Sequence, residues 1–191
     1  AVGAEGDHTL EVRAEDAAGN VATATVHFTI DATAPVVSIE GVADGSCQQG
    51  PVTPTVNVVE LHPGTVAATL DGAPFTSGTE VGAEGDHELV AVARDAAGNE
   101  GTARAAFTLD RTAPVVTISG VGEGAFVQGP VVLTVTAADA SATTVSALLD
   151  GAPYAGEAIA AEGLHQLVAS ATDCAGNSGG ATRSFTIDRT P

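Results

Sequence analysis

The segment Phe107-Thr108-Leu109-Asp110-Arg111-Thr112-Ala113-Pro114-Val115-Val116-Thr117-Ile118 contains the pattern from which the fold can be predicted. From Phe107 to Leu109, apolar and polar side chains alternate, which predicts the last strand of a half-buried sheet. Pro114 interrupts the strand, because proline has no N–H to donate and holds the residue before it extended. A second strand begins at Val115. The stretch therefore predicts the end of one β unit, a short stiff linker and the start of the next unit.

The same pattern occurs twice more, ending in Pro35 upstream and in Pro191 downstream. Its aspartates, Asp31, Asp110 and Asp188, are 79 and 78 residues apart (110 − 31 and 188 − 110). This spacing predicts a tandem repeat. The predicted segments are the last part of an incomplete repeat at residues 1–31 and complete repeats at 32–110 and 111–191.

The first segment matches only the final part of a complete repeat, since Glu5-Gly6-Asp7-His8 corresponds to Glu84-Gly85-Asp86-His87. The chain has no Met and no hydrophobic leader, so we expect an excerpt or a processed piece of a longer protein. An isolated hairpin is rarely stable in water. We therefore expect the next repeat, another chain or a longer polypeptide to complete this segment. No run in the sequence approaches ~18 consecutive apolar residues, so we expect no membrane-spanning segment in these residues.

The chain is strongly acidic, with 24 acidic residues against 6 basic ones and a formal charge of −18. Such a surface repels phosphate, so we expect no nucleic-acid partner. The same carboxylates favour solubility and offer ligands to divalent cations. Only 3% of the residues are aromatic. Each repeat is therefore predicted to be marginally stable alone, so that neighbours, a metal or a disulfide would matter.

Each complete repeat reads as about seven short strands separated by turn signals. Asp71-Gly72 and Asp150-Gly151 each readily take the positive φ of a tight hairpin turn. No segment shows the 3.6-residue apolar period of a helix. Short strands with turn signals every ~8–12 residues are typical of a β-sandwich. The sequence therefore predicts an all-β chain of tandem sandwich domains.

Several recurring motifs carry a family resemblance: Gly-Val-x-x-Gly, Leu-Asp-Gly-Ala-Pro-Phe/Tyr, Glu-Gly-x-His-x-Leu, Asp-x-Ala-Gly-Asn and the linker motif. Together they resemble the immunoglobulin-like repeats of large bacterial surface proteins and adhesins. The resemblance implies immunoglobulin-like β-sandwich domains stacked end to end. Two features depart from the family pattern. Cys47 stands where the next repeat has Phe126, and His87 and His165 stand where tyrosine is commoner.

The resemblance implies a non-catalytic extracellular stalk or spacer, which holds a binding domain away from the cell. Its partners would be the neighbouring repeats, other copies of the chain or other surface proteins. Two alternatives stay open: a module that itself binds a glycan or a protein, and accessory domains of a secreted enzyme. No Ser-His-Asp or Cys-His set recurs in a plausible arrangement, so we expect no enzymatic activity.

Histidines recur at one position of the repeat, as His8, His87 and His165. A zinc site needs ligands that converge on one ion, whereas equivalent residues of successive sandwiches lie about a domain length apart. We therefore expect each histidine to hydrogen-bond nearby backbone at a corner of the fold, as a tyrosine does in related sandwiches.

The resemblance also implies calcium at the domain junctions, where two loops of each repeat lie beside the linker that precedes it. Asp and Asn supply the hard oxygens that Ca²⁺ prefers. The expected ligands are Asp31, Glu60, Asp95 and Asn99 at the first junction, and Asp110, Asp139, Asp173 and Asn177 at the second. The alternative is that these side chains cap separate turns and face solvent, since each loop has its own need for such residues.

The two cysteines are expected at the second junction. In an immunoglobulin-like fold, the loop after the first strand of one repeat and the last loop of the next repeat face the same junction. Cys47 is predicted in the first of these loops and Cys174 in the second. An extracellular compartment permits a disulfide between them, which requires a Cα separation below ~7 Å. Two free thiols and a bridge to another chain are the alternatives.

Overall fold

The chain is built from β-strands throughout the part that the structure describes. The structure is a computed structural model that describes residues 3–190. These residues form sixteen strands and no helix, so the all-β prediction is confirmed. Accordingly, no helix within residues 3–190 has the length and apolar character needed to cross a membrane. In chain order the strands are β1 (Gly6–Glu15), β2 (Val21–Ile30), β3 (Val36–Glu40), β4 (Ser46–Gln48), β5 (Thr55–Val59), β6 (Pro63–Leu70), β7 (Ala73–Pro74), β8 (Gly85–Asp95), β9 (Glu100–Leu109), β10 (Val115–Ser119), β11 (Ala125–Val127), β12 (Thr134–Ala138), β13 (Thr144–Leu149), β14 (Ala152–Pro153), β15 (Gly163–Thr172) and β16 (Ser178–Ile187).

The strands pair in the same order in both complete repeats. Two five-stranded sheets have the orders β4-β9-β8-β6-β7 and β11-β16-β15-β13-β14, and two-stranded sheets consist of β3-β5 and β10-β12. The pairs β3–β5, β6–β8, β13–β15 and β15–β16 are antiparallel. Two sheets and seven short strands per repeat are the arrangement of an immunoglobulin-like sandwich. The prediction of an all-β chain of tandem immunoglobulin-like sandwiches is therefore confirmed.

Two compact units make up the chain. The first comprises Ala1–Asp44, Thr53–Thr79 and Glu88–Ala105, and the second comprises Gly45–Val52, Glu80–His87 and Ala106–Pro191. This division follows packing rather than sequence similarity. The repeat boundaries at residues 32 and 111 stay a prediction from the sequence.

In the first unit, β1 and β2 form a hairpin whose side chains are largely open to solvent. The two strands pair from Gly6 with Ile30 to Glu15 with Val21. Phe28 precedes the linker aspartate by three residues, as Phe107 and Phe185 do, which predicts an equivalent core position for all three rings; for Phe28 this prediction is wrong. Phe28 is 37% exposed, against 3% for Phe107 and 1% for Phe185. The reason is that this sheet has only two strands, and nearly all of their residues lie exposed in the described chain.

In the second unit, the last repeat has a small hydrophobic core. Its buried members come from both sheets and from the segments between the strands: Ile118, Val131, Leu133, Tyr154, Ile159, Leu167, Ala169, Phe185 and Ile187. Tyr154 is buried with its hydroxyl paired, since it accepts from the backbone N–H of Leu133 at 2.9 Å and donates to the carbonyl of the same residue at 3.1 Å. A buried phenol is stable only when its polar end is bonded in this way.

Cys47 lies on a strand and not in the loop that the sequence predicts. It is the middle residue of β4, which pairs in parallel with β9 so that Ser46 faces Phe107 and Gln48 faces Leu109. A strand of three residues is too short to show an alternation that could be recognised beforehand. Its existence depends on the edge that β9 offers to it.

Each linker between repeats packs closely against a later strand, because a glycine of that strand lies opposite the proline of the linker. A Cβ added at Gly101 of β9 would lie 1.9 Å from the carbonyl oxygen of Pro35, and one added at Gly179 of β16 would lie 1.8 Å from that of Pro114. Both distances are far inside van der Waals contact, so only glycine permits this approach of the two backbones. Each linker therefore lies directly against the start of the last strand of the repeat that follows it.

Candidate metal centre

Each linker aspartate closes the same local turn with its Oδ1 atom. Asp31, Asp110 and Asp188 each accept the backbone N–H of the threonine two residues later. The donors are Thr33, Thr112 and Thr190, at 3.1, 3.0 and 3.0 Å. This arrangement is an Asx-turn, which a short carboxylate forms without help from the rest of the fold. It leaves Oδ2 of each aspartate available for another partner.

The Asp-x-Ala-Gly-Asn loops are turns closed by their own side chains, as predicted. In the loop between β15 and β16, Asp173 accepts the backbone N–H of Asn177 at 2.9 Å and its amide N–H at 2.7 Å. Asn99 makes the same two bonds to Asp95, at 2.8 and 2.7 Å. Each asparagine amide also donates to the carbonyl of the linker aspartate, Asp110 at 2.9 Å and Asp31 at 3.1 Å. In this orientation the asparagines hold the linkers in place, and a ligand role for Asn99 and Asn177 stays a prediction.

These loop aspartates remain charged at ordinary pH. Burial opposes ionisation of Asp173, but the hydrogen bonds from Asn177 outweigh it and hold the pKa of Asp173 below its usual value. Burial and the bonds from Asn99 and Gly98 act in the same way on Asp95, whose pKa is also lowered. Both side chains therefore bring a full negative charge to nearly buried positions, 8% exposed for Asp173 and 5% for Asp95.

Asp110, Asp139 and Asp173 come together in the second unit, and we call them the second acidic cluster. One carboxylate oxygen from each lies within 4.8 Å of the other two. Asp110 comes from the linker, Asp139 directly follows β12, and Asp173 directly follows β15. Asp110 is only 6% exposed. The fold thus gathers three carboxylates from three separate segments in one place.

Two carboxylate oxygens of the second acidic cluster are buried without a hydrogen-bond donor. They are Oδ2 of Asp110 and Oδ2 of Asp139, and they make up two of the four such side-chain atoms within residues 3–190. Leaving a buried polar group unpaired costs about 1–3 kcal/mol, and more when the group is charged. Both atoms belong to the group of carboxylates that lie together. A cation is the partner that would satisfy both atoms and offset the repulsion between the charges.

The donor set fits calcium. Ca²⁺ prefers hard oxygen ligands and takes about 6–8 of them, with carboxylates, backbone carbonyls and water sharing the shell. Three carboxylates supply part of that shell and more charge than one divalent ion carries. A cleft of about 430 Å³ opens beside the cluster, and its walls include Asp110, Ser141 and Cys174. Asp110 of the second acidic cluster therefore lies at the wall of this cleft.

A different group forms at the first linker, and we call Asp31, Glu60 and His62 the first acidic cluster. Their ligand atoms also lie within 4.8 Å of one another. Nδ1 of His62 lies 3.1 Å from Oδ2 of Asp31. Asp95, which the sequence places in this set, is not a member of the cluster. Sequence reasoning missed His62, although it lies only two residues after the expected ligand Glu60.

Cys47 and Cys174 form a disulfide next to the second acidic cluster. Their Cα atoms are 5.8 Å apart, which lies within the range that this bond requires. Cys174 directly follows Asp173 in sequence. On the other side, the backbone N–H of Asp110 donates to the carbonyl of Gln48, the residue after Cys47, at 2.9 Å. The disulfide therefore joins the two segments that position Asp110 and Asp173.

The recurring histidines are corner residues, as predicted. Nε2 of His8, His87 and His165 bonds to the backbone carbonyl four residues earlier, at 2.7, 2.9 and 2.9 Å. Each ring also packs against the phenylalanine of the last strand, with ring centroids 5.3 to 5.4 Å apart. These contacts are local to each repeat, which is what a structural role requires.

The repeating sequence pattern matches a known protein family. A family model described as bacterial Ig-like domain (group 3) matches residues 2–77 and 73–159. These two adjacent matches together cover most of the chain. No curated protein sequence matches it.

Several solved structures have a similar fold. The tetra-tandem repeat from the extending region of a large adhesion protein is 24% identical with a TM-score of 0.45, and the match covers 98% of this chain and 58% of that one. A Ca²⁺-stabilized adhesin with which an Antarctic bacterium binds ice is 22% identical with a TM-score of 0.33, with coverages of 95% and 57%. Fibronectin(III)-like modules of Clostridium thermocellum CbhA are 16% identical with a TM-score of 0.40, with coverages of 80% and 94%. The chain thus spans a little over half the length of the two adhesin structures. At these identities the likeness concerns the fold alone.

Proposed function

The chain belongs to the family of bacterial Ig-like domains (group 3), and on that premise we propose that it is a non-catalytic spacer segment of an extracellular, adhesin-like surface protein, with calcium bound at the second acidic cluster. The observation that carries the calcium assignment is the pair of buried, unpaired oxygens on Asp110 and Asp139, which lie together with the carboxylate of Asp173.

Two further features support an extracellular spacer. The disulfide between Cys47 and Cys174 is a bond that persists in oxidising compartments and is rare in the cytosol. The formal charge of −18 favours a soluble surface that does not associate with other acidic surfaces. Both features suit a segment whose task is to hold other domains apart.

The three carboxylates have separate tasks around the ion. Asp110 would hold the ion from the linker: its Oδ1 keeps the linker turn closed through Thr112, and its Oδ2, which accepts no hydrogen bond, is available as a ligand. Asp139 likewise keeps its loop closed with Oδ1 and offers its Oδ2. Asp173 is held in its charged form by Asn177. An ion bound here would tie the linker to two loops of the repeat that follows, so the linker would lose freedom to bend.

Thermal unfolding with and without calcium tests this proposal. At a calcium concentration about 100 times the Kd, binding to the folded state should stabilise the chain by about 2.7 kcal/mol relative to excess EDTA. Asp110→Asn keeps the shape of the side chain and removes its charge, so this variant should lose most of the calcium-dependent shift. Asp188→Asn is the matched control, because Asp188 closes the same turn but is exposed and lies outside both clusters.

The proposal fails if the wild-type chain melts at the same temperature in calcium and in EDTA. It also fails if Asp110→Asn responds to calcium as fully as Asp188→Asn does. Small-angle X-ray scattering on the same samples would test the spacer role separately, since an ion that stiffens the linker should narrow the distribution of particle lengths.

A further inference from the structure

Positions 62 and 141 are equivalent in the two complete repeats but carry different side chains. His62 follows Glu60 by two residues, and Ser141 follows Asp139 by two residues, with a separation of 79 residues as for the linker aspartates (141 − 62). In both loops a backbone N–H donates to the acidic side chain two residues earlier. The N–H of His62 donates to Oε1 of Glu60 at 2.9 Å, and the N–H of Ser141 donates to Oδ1 of Asp139 at 2.9 Å.

The two side chains act on different carboxylates. Nδ1 of His62 reaches across to Oδ2 of Asp31, at 3.1 Å. An ionised carboxylate can only accept, so Nδ1 is the donor in this bond. The hydroxyl of Ser141 instead lies 3.2 Å from Oδ1 of Asp139 and bonds within its own loop. Of these two side-chain hydrogen bonds, the one from His62 reaches the linker.

This difference decides whether the linker aspartate has a partner. Oδ2 of Asp31 is bonded to the imidazole, although the Asp31 side chain is only 9% exposed. Oδ2 of Asp110, its counterpart, is buried with no donor. The imidazole at position 62 thus provides the hydrogen bond that the second cluster lacks.

We propose that the residue at this position selects which cluster takes a divalent cation. His62 replaces the ion at the first acidic cluster, since its N–H satisfies Asp31, whereas Ser141 leaves Asp110 to be satisfied by calcium. This inference rests on the proposed calcium site at the second acidic cluster and extends it by naming what distinguishes the two clusters. It predicts that the full chain takes up one calcium ion through these clusters and not two.

Composition of the clusters supports this selection. The first has two carboxylates and a nitrogen ligand, and the second has three carboxylates. Calcium takes oxygen ligands, so the imidazole nitrogen of the first cluster is a poor ligand for it, whereas every donor of the second cluster is an oxygen. An ion at the first cluster would also have to break the bond between His62 and Asp31 before it could use Oδ2 of Asp31 as a ligand.

The test exchanges the two side chains in the full chain and measures calcium binding by calorimetry after removal of metal with EDTA. Ser141→His should weaken calcium binding at least about 10-fold and should raise the melting temperature in EDTA, because the new imidazole reaches the unpaired oxygen of Asp110. Ser141→Ala is the matched control, which removes the hydroxyl without adding an imidazole, and it should stay within about 3-fold of the wild type. His62→Ser should bind a second calcium ion that the wild type does not bind.

Each outcome decides the question. A wild-type chain that binds no calcium contradicts the proposed function and this inference together. If the wild type binds calcium and Ser141→His binds it equally well, or if Ser141→Ala loses as much affinity, only this inference is overturned. Should Ser141→His not fold, the stoichiometry of His62→Ser decides: a second ion supports the selection, and no second ion refutes it. Zinc binding that is lost in His62→Ser would make His62 a ligand and would also overturn it.

Discussion

Asp31 and Asp110 stand at the same position of successive repeats and close the same turn, yet one has a hydrogen-bonded Oδ2 and the other has an unpaired one. The backbone of the linker does not explain this difference. The difference comes from the residue that follows each aspartate by 31 positions. This residue is His62 after Asp31 and Ser141 after Asp110 (62 − 31 and 141 − 110). Within these two linkers the turn is repeated, whereas the hydrogen bond to Oδ2 of the aspartate is present only where position 62 or its counterpart is a histidine.

The two clusters also differ in how their loops are held. Cys174 follows Asp173 in the second cluster, whereas the equivalent position after Asp95 is Ala96. The cluster with unpaired charges is therefore the one with a covalent link beside it. A preorganised site loses less conformational entropy when it binds a ligand. The disulfide, by holding the segments beside the second cluster, should therefore strengthen binding of the proposed ion.

Among the predicted changes in stability, the largest is expected when the disulfide beside the second acidic cluster is removed. The bond closes a loop over a sequence separation of 127 residues, and removing such a bond typically costs about 2–5 kcal/mol. The double variant Cys47→Ser, Cys174→Ser should therefore unfold at a lower denaturant concentration. It should also bind calcium more weakly, because Asp110 and Asp173 are no longer held by the two bonded segments.

Hydrogen exchange locates the effect of that double variant. Amides of β15, β16 and the linker around Asp110 should exchange faster, while those of β3 and β5 in the first unit should serve as the internal control. Equal stability of the oxidised and the double-variant chains would show that non-covalent contacts alone hold the second cluster.

The next largest change in stability distinguishes the side chain at position 62 from the one at position 141 in the absence of metal. In EDTA, His62→Ala leaves Oδ2 of Asp31 without its donor, which should cost about 1–3 kcal/mol of unfolding free energy. Ser141→Ala removes only a hydroxyl that bonds within its own loop, so it should cost well under 1 kcal/mol. Urea denaturation of both variants measures the difference. If the two losses are equal, the bond from His62 to Asp31 does not distinguish the clusters.

The smallest effect is expected at His165, a histidine that lies outside both acidic clusters. Nδ1 of His165 lies 2.7 Å from Oδ2 of Asp150. The hydrogen bond to Asp150 and the one to the carbonyl of Ala161 outweigh burial and raise the pKa of His165. Burial opposes ionisation of Asp150, but the N–H of Gln166 and the contact with His165 outweigh it, so the pKa of Asp150 is lowered.

The sign of the pH dependence follows from these two shifts. The raised pKa of His165 contributes stability that is complete below its usual value of about 6.5 and disappears as the pH rises through the folded pKa. The lowered pKa of Asp150 contributes stability above its usual value of about 3.9, which is lost as the pH falls through the folded pKa. Because Asp150 is nearly half exposed, the pair should be worth about 1 kcal/mol or less.

His165→Gln should therefore reduce the unfolding free energy more at pH 5 than at pH 9. Urea denaturation of the variant and the wild type at both values measures this. A loss that is the same at both values would mean that the pair does not depend on the charge of His165.

Features with local causes could be predicted from the sequence. The strands follow from alternating side chains, and the linker follows from a proline that interrupts them. Asp16, Asp95 and Asp173 close their loops as their motif predicts, because the donors lie within four residues of each carboxylate. The corner histidines bond carbonyls four residues away for the same reason. The calcium role of the expected ligands stays a prediction.

Features with distant partners could not be predicted in this way. Phe28 repeats the position of Phe107, but its burial depends on whether another sheet covers it, and residues 3–190 provide none over that hairpin. Cys47 lies on a strand because β9 offers an edge for pairing. The contact of His62 with Asp31 could not be predicted, because nothing in the loop of His62 indicates that its ring reaches a linker aspartate.

The repeat, the all-β class and the turns are therefore encoded locally, because they depend on backbone preferences that act over a few residues. The meeting of Asp110, Asp139 and Asp173, with two unpaired oxygens among them, and the bond between His62 and Asp31 arise only when the chain folds. A carboxylate's partner depends on which distant side chains the packed strands bring within about 3 Å of it, and this distance is set by the whole fold.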